Sequence, residues 1–268
     1  MNRLTESIIL GIIQGATEFL PVSSSGHLVV IPALFHLDPP NLAFTMGLHA
    51  GTLLSLLVYF YREVWELLKG VFSIFKSRRT QEEQFYLRLF VLIIIAVIPA
   101  GVAGVLLSNK VDLLFSNPRT VSYLFFITAI LLIVGSILSD KSRETLENIT
   151  ALDALIVGVF QILALPPGIS RSGSTITGGI VSGMDRESAS KFSFLVAIPV
   201  IFGASLLEVR KMNFSGFTVT DLFVGFLVSF VVGLISLWIF FPLIKKTKFY
   251  VFSIYCIILG TLGLILFK

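Results

Sequence analysis

Apolar positions along this chain come in long unbroken runs rather than in alternation. Six of these, Leu42–Tyr61, Leu87–Leu107, Val121–Leu138, Phe192–Leu207, Leu222–Leu243 and Tyr250–Phe267, approach the roughly 20 helical residues that cross a hydrocarbon core of about 30 Å. They predict six transmembrane helices. Shorter apolar stretches flank two polar islands: Ile8–Leu20 and Leu28–Leu37 around "EFLPVSSSGH" (18–27), Leu155–Leu165 and Ile176–Met184 around "PGISRSGST" (167–175). Each stretch is too short to span alone, and each pair is broken by proline and glycine. Irregular backbone at membrane depth is tolerated only where it is buried in protein or lines a cavity, so each pair predicts a re-entrant helix–loop–helix hairpin.

The two halves echo one another at an offset of 147 residues. Gly11, Gln14, Ser23, Ser25, Gly26 and Asp38 recur as Gly158, Gln161, Ser170, Ser172, Gly173 and Asp185, six identities in 28 positions against roughly two expected from average usage. Three apolar spans follow each island, and "LFV" opens the middle one at Leu89 and again at Leu222. The expected fold is therefore an all-α integral membrane protein, one domain over 1–268, with repeats of about 1–140 and 148–268. A re-entrant hairpin makes no net crossing, so each repeat crosses three times and the second is inserted upside down. That is the inverted-topology pattern in which broken helices converge on a midplane site.

Composition agrees: the 268 residues are 55% hydrophobic and 13% charged, with a mean hydropathy of +0.94, far from a soluble domain. The formal charge of +4 reads as a topology signal, since the basic residues sit in short loops and form no nucleic-acid face. With Arg62–Arg88 inside, the same side receives Lys141, Arg143, Arg186, Lys191, Lys245, Lys246 and Lys248, 13 basic residues in all; Arg3, Lys110, Arg119, Arg210, Lys211 and Lys268 make six on the other. The positive-inside rule then places both termini outside. Leu4–Leu20 looks superficially like a signal peptide, but Gln14 and Glu18 interrupt it and no cleavage site follows, so it is expected in the mature protein. The single cysteine, Cys256, forms no intrachain disulfide.

Chemistry concentrates in the islands. Gln14 and Glu18, four apart, share a helix face, and an ionisable residue at this depth is a functional hypothesis by default. Pro21 stops that helix, and "SSSGH" supplies a cap and free backbone N–H groups for the next, an anion site. His27, three residues after Ser24, is close enough on a first turn to share its proton, the minimal nucleophile–base pair. In the second island Ser170, Ser172, Gly173, Ser174 and Thr175 surround Arg171, the one basic residue placed inside the membrane. Its guanidinium fork suits phosphate or carboxylate; the structural rival is an ion pair with Glu18 alone. His49 and Glu208 are weaker candidates, each near a span but outside any polar cluster. The site so assembled suits a phosphorylated lipid.

"QGATEFLPVSSSGH" and "PGISRSGST" resemble the two signatures of the bacterial undecaprenyl-diphosphatases of the bacitracin-resistance type, over nearly the whole chain. The resemblance implies removal of the terminal phosphate of undecaprenyl diphosphate, a polyprenyl diphosphate lipid, to recycle the cell-wall carrier. It also implies a divalent cation, Mg²⁺ or Ca²⁺, the interdigitated inverted-repeat fold, and residence in the bacterial inner membrane with the site facing outward; a homodimer is compatible with it. Carried over, catalytic roles fall on Glu18, Ser24, His27 and Arg171. Substrate binding falls on Gln14, Ser23, Ser25, Gly26, Ser170, Ser172, Gly173, Ser174 and Thr175, and metal binding on Glu18 and Gln14. Many members carry glutamate where this chain has Gln14; an amide offers a carbonyl oxygen but no charge, which shifts the cation toward Glu18 and substrate phosphates. Two assignments stand open, Ser24 attacking with His27 as base, or His27 attacking with Ser24 as phosphate ligand. The rival function is a transporter or flippase for an anionic polyprenyl phosphate lipid, since inverted repeats are a transport architecture. An ion channel is poorly served by one Arg and one Glu without a ring of repeated ligands.

Overall fold

In the computed structural model the described residues are 2–35, 37, 39–139, 142, 144–208, 217–246 and 249–267, with the side chains of 112, 245 and 246 left aside. Asp38 of the repeat pattern, and Lys141, Arg143, Arg210, Lys211, Lys248 and Lys268 of the charge pattern, lie outside them. Among the described residues eleven α-helices follow one another: α1 (Arg3–Thr17), α2 (Ser24–Leu34), α3 (Leu42–Tyr59), α4 (Tyr61–Phe72), α5 (Gln81–Leu114), α6 (Pro118–Leu138), α7 (Ala151–Leu163), α8 (Arg171–Val181), α9 (Arg186–Glu208), α10 (Val219–Lys246) and α11 (Tyr250–Leu266).

Five of the six expected spans, within α3, α5, α6, α9 and α10, are long and apolar enough to cross a membrane; the sixth, α11, is apolar but has 17 residues. Boundaries differ where polar residues continue a helix. α5 begins at Gln81, six residues before its apolar run, because its acidic first turn (Glu82, Glu83) suits a helix N-terminus. The expected Leu42–Tyr61 run instead breaks at Phe60 (φ −99°, ψ 25°). There α4 starts, a helix with Trp65, Leu68 and Phe72 exposed along one side.

The short helices form the two expected pairs. At 1.5 Å per residue α2 and α8 are each about 16 Å long, roughly half the hydrocarbon thickness. α1 packs on α2 and α7 on α8, but the broader contacts are crossed: α1 lies against α10 and α7 against α5. Glycine permits both crossings. A Cβ at Gly11 would meet Val228 Cβ at 2.9 Å and the Gly225 carbonyl at 3.0 Å, and one at Gly158 would meet the Ala96 carbonyl at 2.6 Å and Pro99 Cγ at 2.9 Å. These are the two glycines related by the offset of 147. Gly158→Val should therefore cost about 1–3 kcal/mol by overpacking, read as a lower melting temperature of the detergent-solubilised protein; an unchanged melting temperature would show that α5 and α7 can move apart freely.

A continuous apolar core, including Phe19, Val30, Phe125, Phe192, Phe194 and Phe240, wraps the two polar turns. Phe194 meets Phe19 edge-on at 5.8 Å and Phe240 at 5.4 Å between ring centroids, so the turn after α1 is clamped by α9 and α10.

Candidate functional site

Both islands make the same cap. Ser23 precedes α2 and its hydroxyl accepts from the Gly26 N–H at 3.3 Å; Ser170 precedes α8 and accepts from Gly173 at 3.0 Å. Each cap satisfies one of the donors that a helix start leaves orphaned. Ser23 alone among described non-glycine residues has positive φ, 69°, and is held there because its hydroxyl also accepts from the Gly168 N–H at 3.1 Å. The turns are in direct contact: a Cβ on Gly26 would lie 2.8 Å from Gly168 Cα. Ser172 Oγ adds a bond to the Leu20 carbonyl at 3.1 Å. Two helix N-termini, with their partial positive charge, are thus brought together.

Glu18 is the hub between them. Oε1 accepts from Arg171 Nη2 at 2.7 Å, and Oε2 accepts from Ser24 Oγ at 2.5 Å and from Gln14 Nε2 at 3.0 Å. Glu18 is 7% exposed and Gln14 fully buried, so the carboxylate meets its charge partner with little water between. Two atoms stay unsatisfied: Arg171 Nη1 and Gln14 Oε1 are buried without a protein partner. A cavity of about 190 Å³ opens here, lined by Glu18, Ser23, Ser24, Ser25, Ser170 and Arg171 on the turn side and by α9 opposite. Half of the guanidinium fork thus holds Glu18, and the other half is available to an anion.

The structure brings Gln14, Glu18, Ser24 and Arg171 together and sets His27 apart. The His27 ring turns to the far side of α2, with Nδ1 at 2.7 Å from the Ser23 carbonyl and Nε2 at 2.7 Å from the Tyr255 hydroxyl, stacked on the Tyr255 ring. The expected Ser24–His27 proton-sharing pair is not made; Ser24 pairs with Glu18 instead. Helical spacing placed His27 near Ser24, but a carbonyl one turn back and a hydroxyl 228 residues away compete better for its nitrogens. Of the second island, Thr175 bonds Ser193 at 2.6 Å, and Ser174 is buried without a partner; neither lines the cavity.

The sequence pattern described as Bacitracin resistance protein BacA matches residues 7–262, both islands included. The chain belongs to the BacA family. It is similar to proteins named undecaprenyl-diphosphatase from Thermosipho africanus (41% identical, 96% of this chain and 97% of the relative) and from Methanococcus maripaludis strain C6 (37%; 94% and 96%). A third, from Christiangramia forsetii, is 40% identical over 97% of both.

In this BacA chain three contributors escaped the motifs. Thr128 on α6 accepts from the Ser170 N–H at 2.9 Å and donates to the Gly168 carbonyl at 2.8 Å, fastening the second turn. Tyr255 holds His27, and His49 on α3 bonds Gln14 at 3.0 Å. A lone hydroxyl or imidazole in an apolar run carries no spacing signal; the one cue for His49 was an ionisable group beside a span. For a cation, Gln14 Oε1 is a buried carbonyl oxygen lacking a partner, on the side chain whose amide nitrogen bonds Glu18, and such an oxygen fits a hard, oxygen-seeking ion. No group of three or more His, Cys, Asp or Glu among the described residues is placed to hold a metal, so phosphate oxygens and water would complete its shell.

Proposed function

We propose that this protein hydrolyses the terminal phosphate of undecaprenyl diphosphate, giving phosphate and undecaprenyl phosphate for reuse in cell-wall synthesis. The observation that carries this reading is the Ser24–Glu18–Arg171 line: a hydroxyl donating at 2.5 Å to a carboxylate whose guanidinium partner keeps one buried nitrogen free. Membership of a family whose relatives bear that enzyme's name supports the substrate.

Ser24 Oγ attacks the terminal phosphorus while its proton passes to Glu18 Oε2. The bond from that phosphorus to the bridging oxygen breaks, and its electron pair leaves with the lipid monophosphate, which carries the Glu18 proton away. Water then attacks the phosphoserine and gives its proton to Glu18; Glu18 returns a proton to the departing Ser24 oxygen as phosphate is freed. Arg171 and the two helix N-termini stabilise charge on the transferred oxygens. His27 is a positioning residue, holding the Ser23 carbonyl and so the turn. A divalent cation, Mg²⁺ or Ca²⁺, would be held by Gln14 Oε1 and Glu18 and would neutralise phosphate charge.

Phosphate release from purified protein and undecaprenyl diphosphate tests the activity directly. No release above a heat-denatured control would refute it. In the same assay Arg171→Lys should lose about 10² to 10³ in kcat/KM, the scale of one lost transition-state donor, because lysine keeps the charge but not the fork. Full activity would make Arg171 replaceable.

The architecture reads as two inverted repeats, about 1–140 and 148–268, with α11 completing six crossings and the hairpins re-entering from opposite sides. The exchanged glycine contacts and matched serine caps support it. In the bacterial inner membrane the basic loops favour a cytoplasmic 62–88 segment, outward termini and an outward site. Ser116→Cys should then react with an impermeant thiol reagent outside intact cells and Ser77→Cys should not; the opposite pattern would invert the orientation.

A further inference from the structure

The polar cavity adjoins a larger one of about 510 Å³, walled by Leu28, Val29, Pro32, Leu37 and Leu42. Ser25, His49 and Glu208 line both, so they mark the seam. Glu208 has interactions of its own. His49 has a fixed hydrogen-bonding sense, which follows from the charges behind it. A carboxylate only accepts, so the Gln14 atom 3.0 Å from Glu18 Oε2 is the amide nitrogen, and the same nitrogen donates its second hydrogen to His49 Nδ1 at 3.0 Å. Nδ1 therefore accepts and the ring proton sits on Nε2. Nε2 has no hydrogen-bond partner among the described residues, and the side chain is 28% exposed, lining the cavities.

We propose that His49 is a specificity residue that donates this Nε2–H to the phosphate bearing the prenyl chain. The inference rests on the phosphatase reading. The terminal phosphorus must reach Ser24 Oγ in the polar cavity, and the hydrocarbon belongs against the leucines and prolines of the larger one. The phosphate joining the two parts then lies at the seam, where His49 and the Ser25 hydroxyl are the donors. The same contact outlasts the reaction, since that phosphate remains on the lipid product.

Binding of undecaprenyl phosphate and of inorganic phosphate to the full-length protein in detergent micelles, by titration calorimetry, tests this with the product alone. His49→Asn keeps an acceptor near the Nδ1 position for Gln14 but has no group at the Nε2 position. It should raise the Kd for undecaprenyl phosphate about 10- to 100-fold, the scale of a hydrogen bond to a charged group, and move that for inorganic phosphate less than about threefold. His49→Gln, whose amide nitrogen reaches the Nε2 position, should recover most of the lipid affinity. An unchanged lipid Kd in His49→Asn, equal shifts for both ligands, or no recovery in His49→Gln would overturn the proposal. Phosphate release from the diphosphate lipid by the wild-type sample reports on the phosphatase reading separately.

Discussion

Ser24→Ala should leave only residual turnover, a fall of roughly 10⁴-fold or more in the single-turnover rate of phosphate release, as expected when a nucleophile is removed. The expectation comes from geometry: Ser24 Oγ is 2.5 Å from Glu18 Oε2 at the start of α2. It has a proton acceptor in place and helix N–H groups beside the site of attack. His27→Ala should cost far less, roughly 10- to 100-fold on the scale of a lost second-sphere hydrogen bond. Among the described residues the His27 ring nitrogens bond the Ser23 carbonyl and the Tyr255 hydroxyl, neither of them a reacting group. Equal losses in the two variants would return His27 to the reacting centre.

The second large effect is at Glu18. Glu18→Gln keeps size and can still accept from Ser24, but an amide cannot take the proton. Losing a positioned base is worth about 10² to 10⁴, so kcat should fall by about 10³. The same change strands Arg171, 16% exposed, without its counter-charge. Removing one partner of a buried pair costs on the order of 3–5 kcal/mol, so the melting temperature should drop as well. The combination separates Glu18 from Ser24, whose alanine variant should lose activity with little loss of stability. A stable, active Glu18→Gln protein would show that another group accepts the proton.

Much of the site was legible because the membrane makes polar groups conspicuous. Glu18 and Arg171, 153 residues apart, could be assigned to one place since neither is tolerated alone in hydrocarbon, and the offset of 147 aligns the two serine caps in the sequence itself. The side-chain direction of His27 was not legible. Spacing of three positions fixes which helical turn a residue is on but not which partner its ring chooses, and Tyr255 comes from the last helix. Thr128 was hidden and His49 legible only as a weaker candidate for the same reason, both being single polar residues whose role exists only once α6 and α3 are packed beside the turns. The break at Phe60 went unread because an apolar run does not reveal that a helix stops inside it, and α4 emerged as a separate element.

The identity of the phosphorylated group tests the central claim most directly. Wild-type protein and polyprenyl diphosphate labelled on the terminal phosphate would be mixed under single-turnover conditions, quenched within the first turnover, and the protein analysed for label. Ser24 as nucleophile predicts an acid-stable, base-labile phosphoserine that is absent from Ser24→Ala and accumulates when hydrolysis is slowed. An acid-labile, base-stable phosphoprotein that persists in Ser24→Ala and disappears in His27→Ala would contradict it.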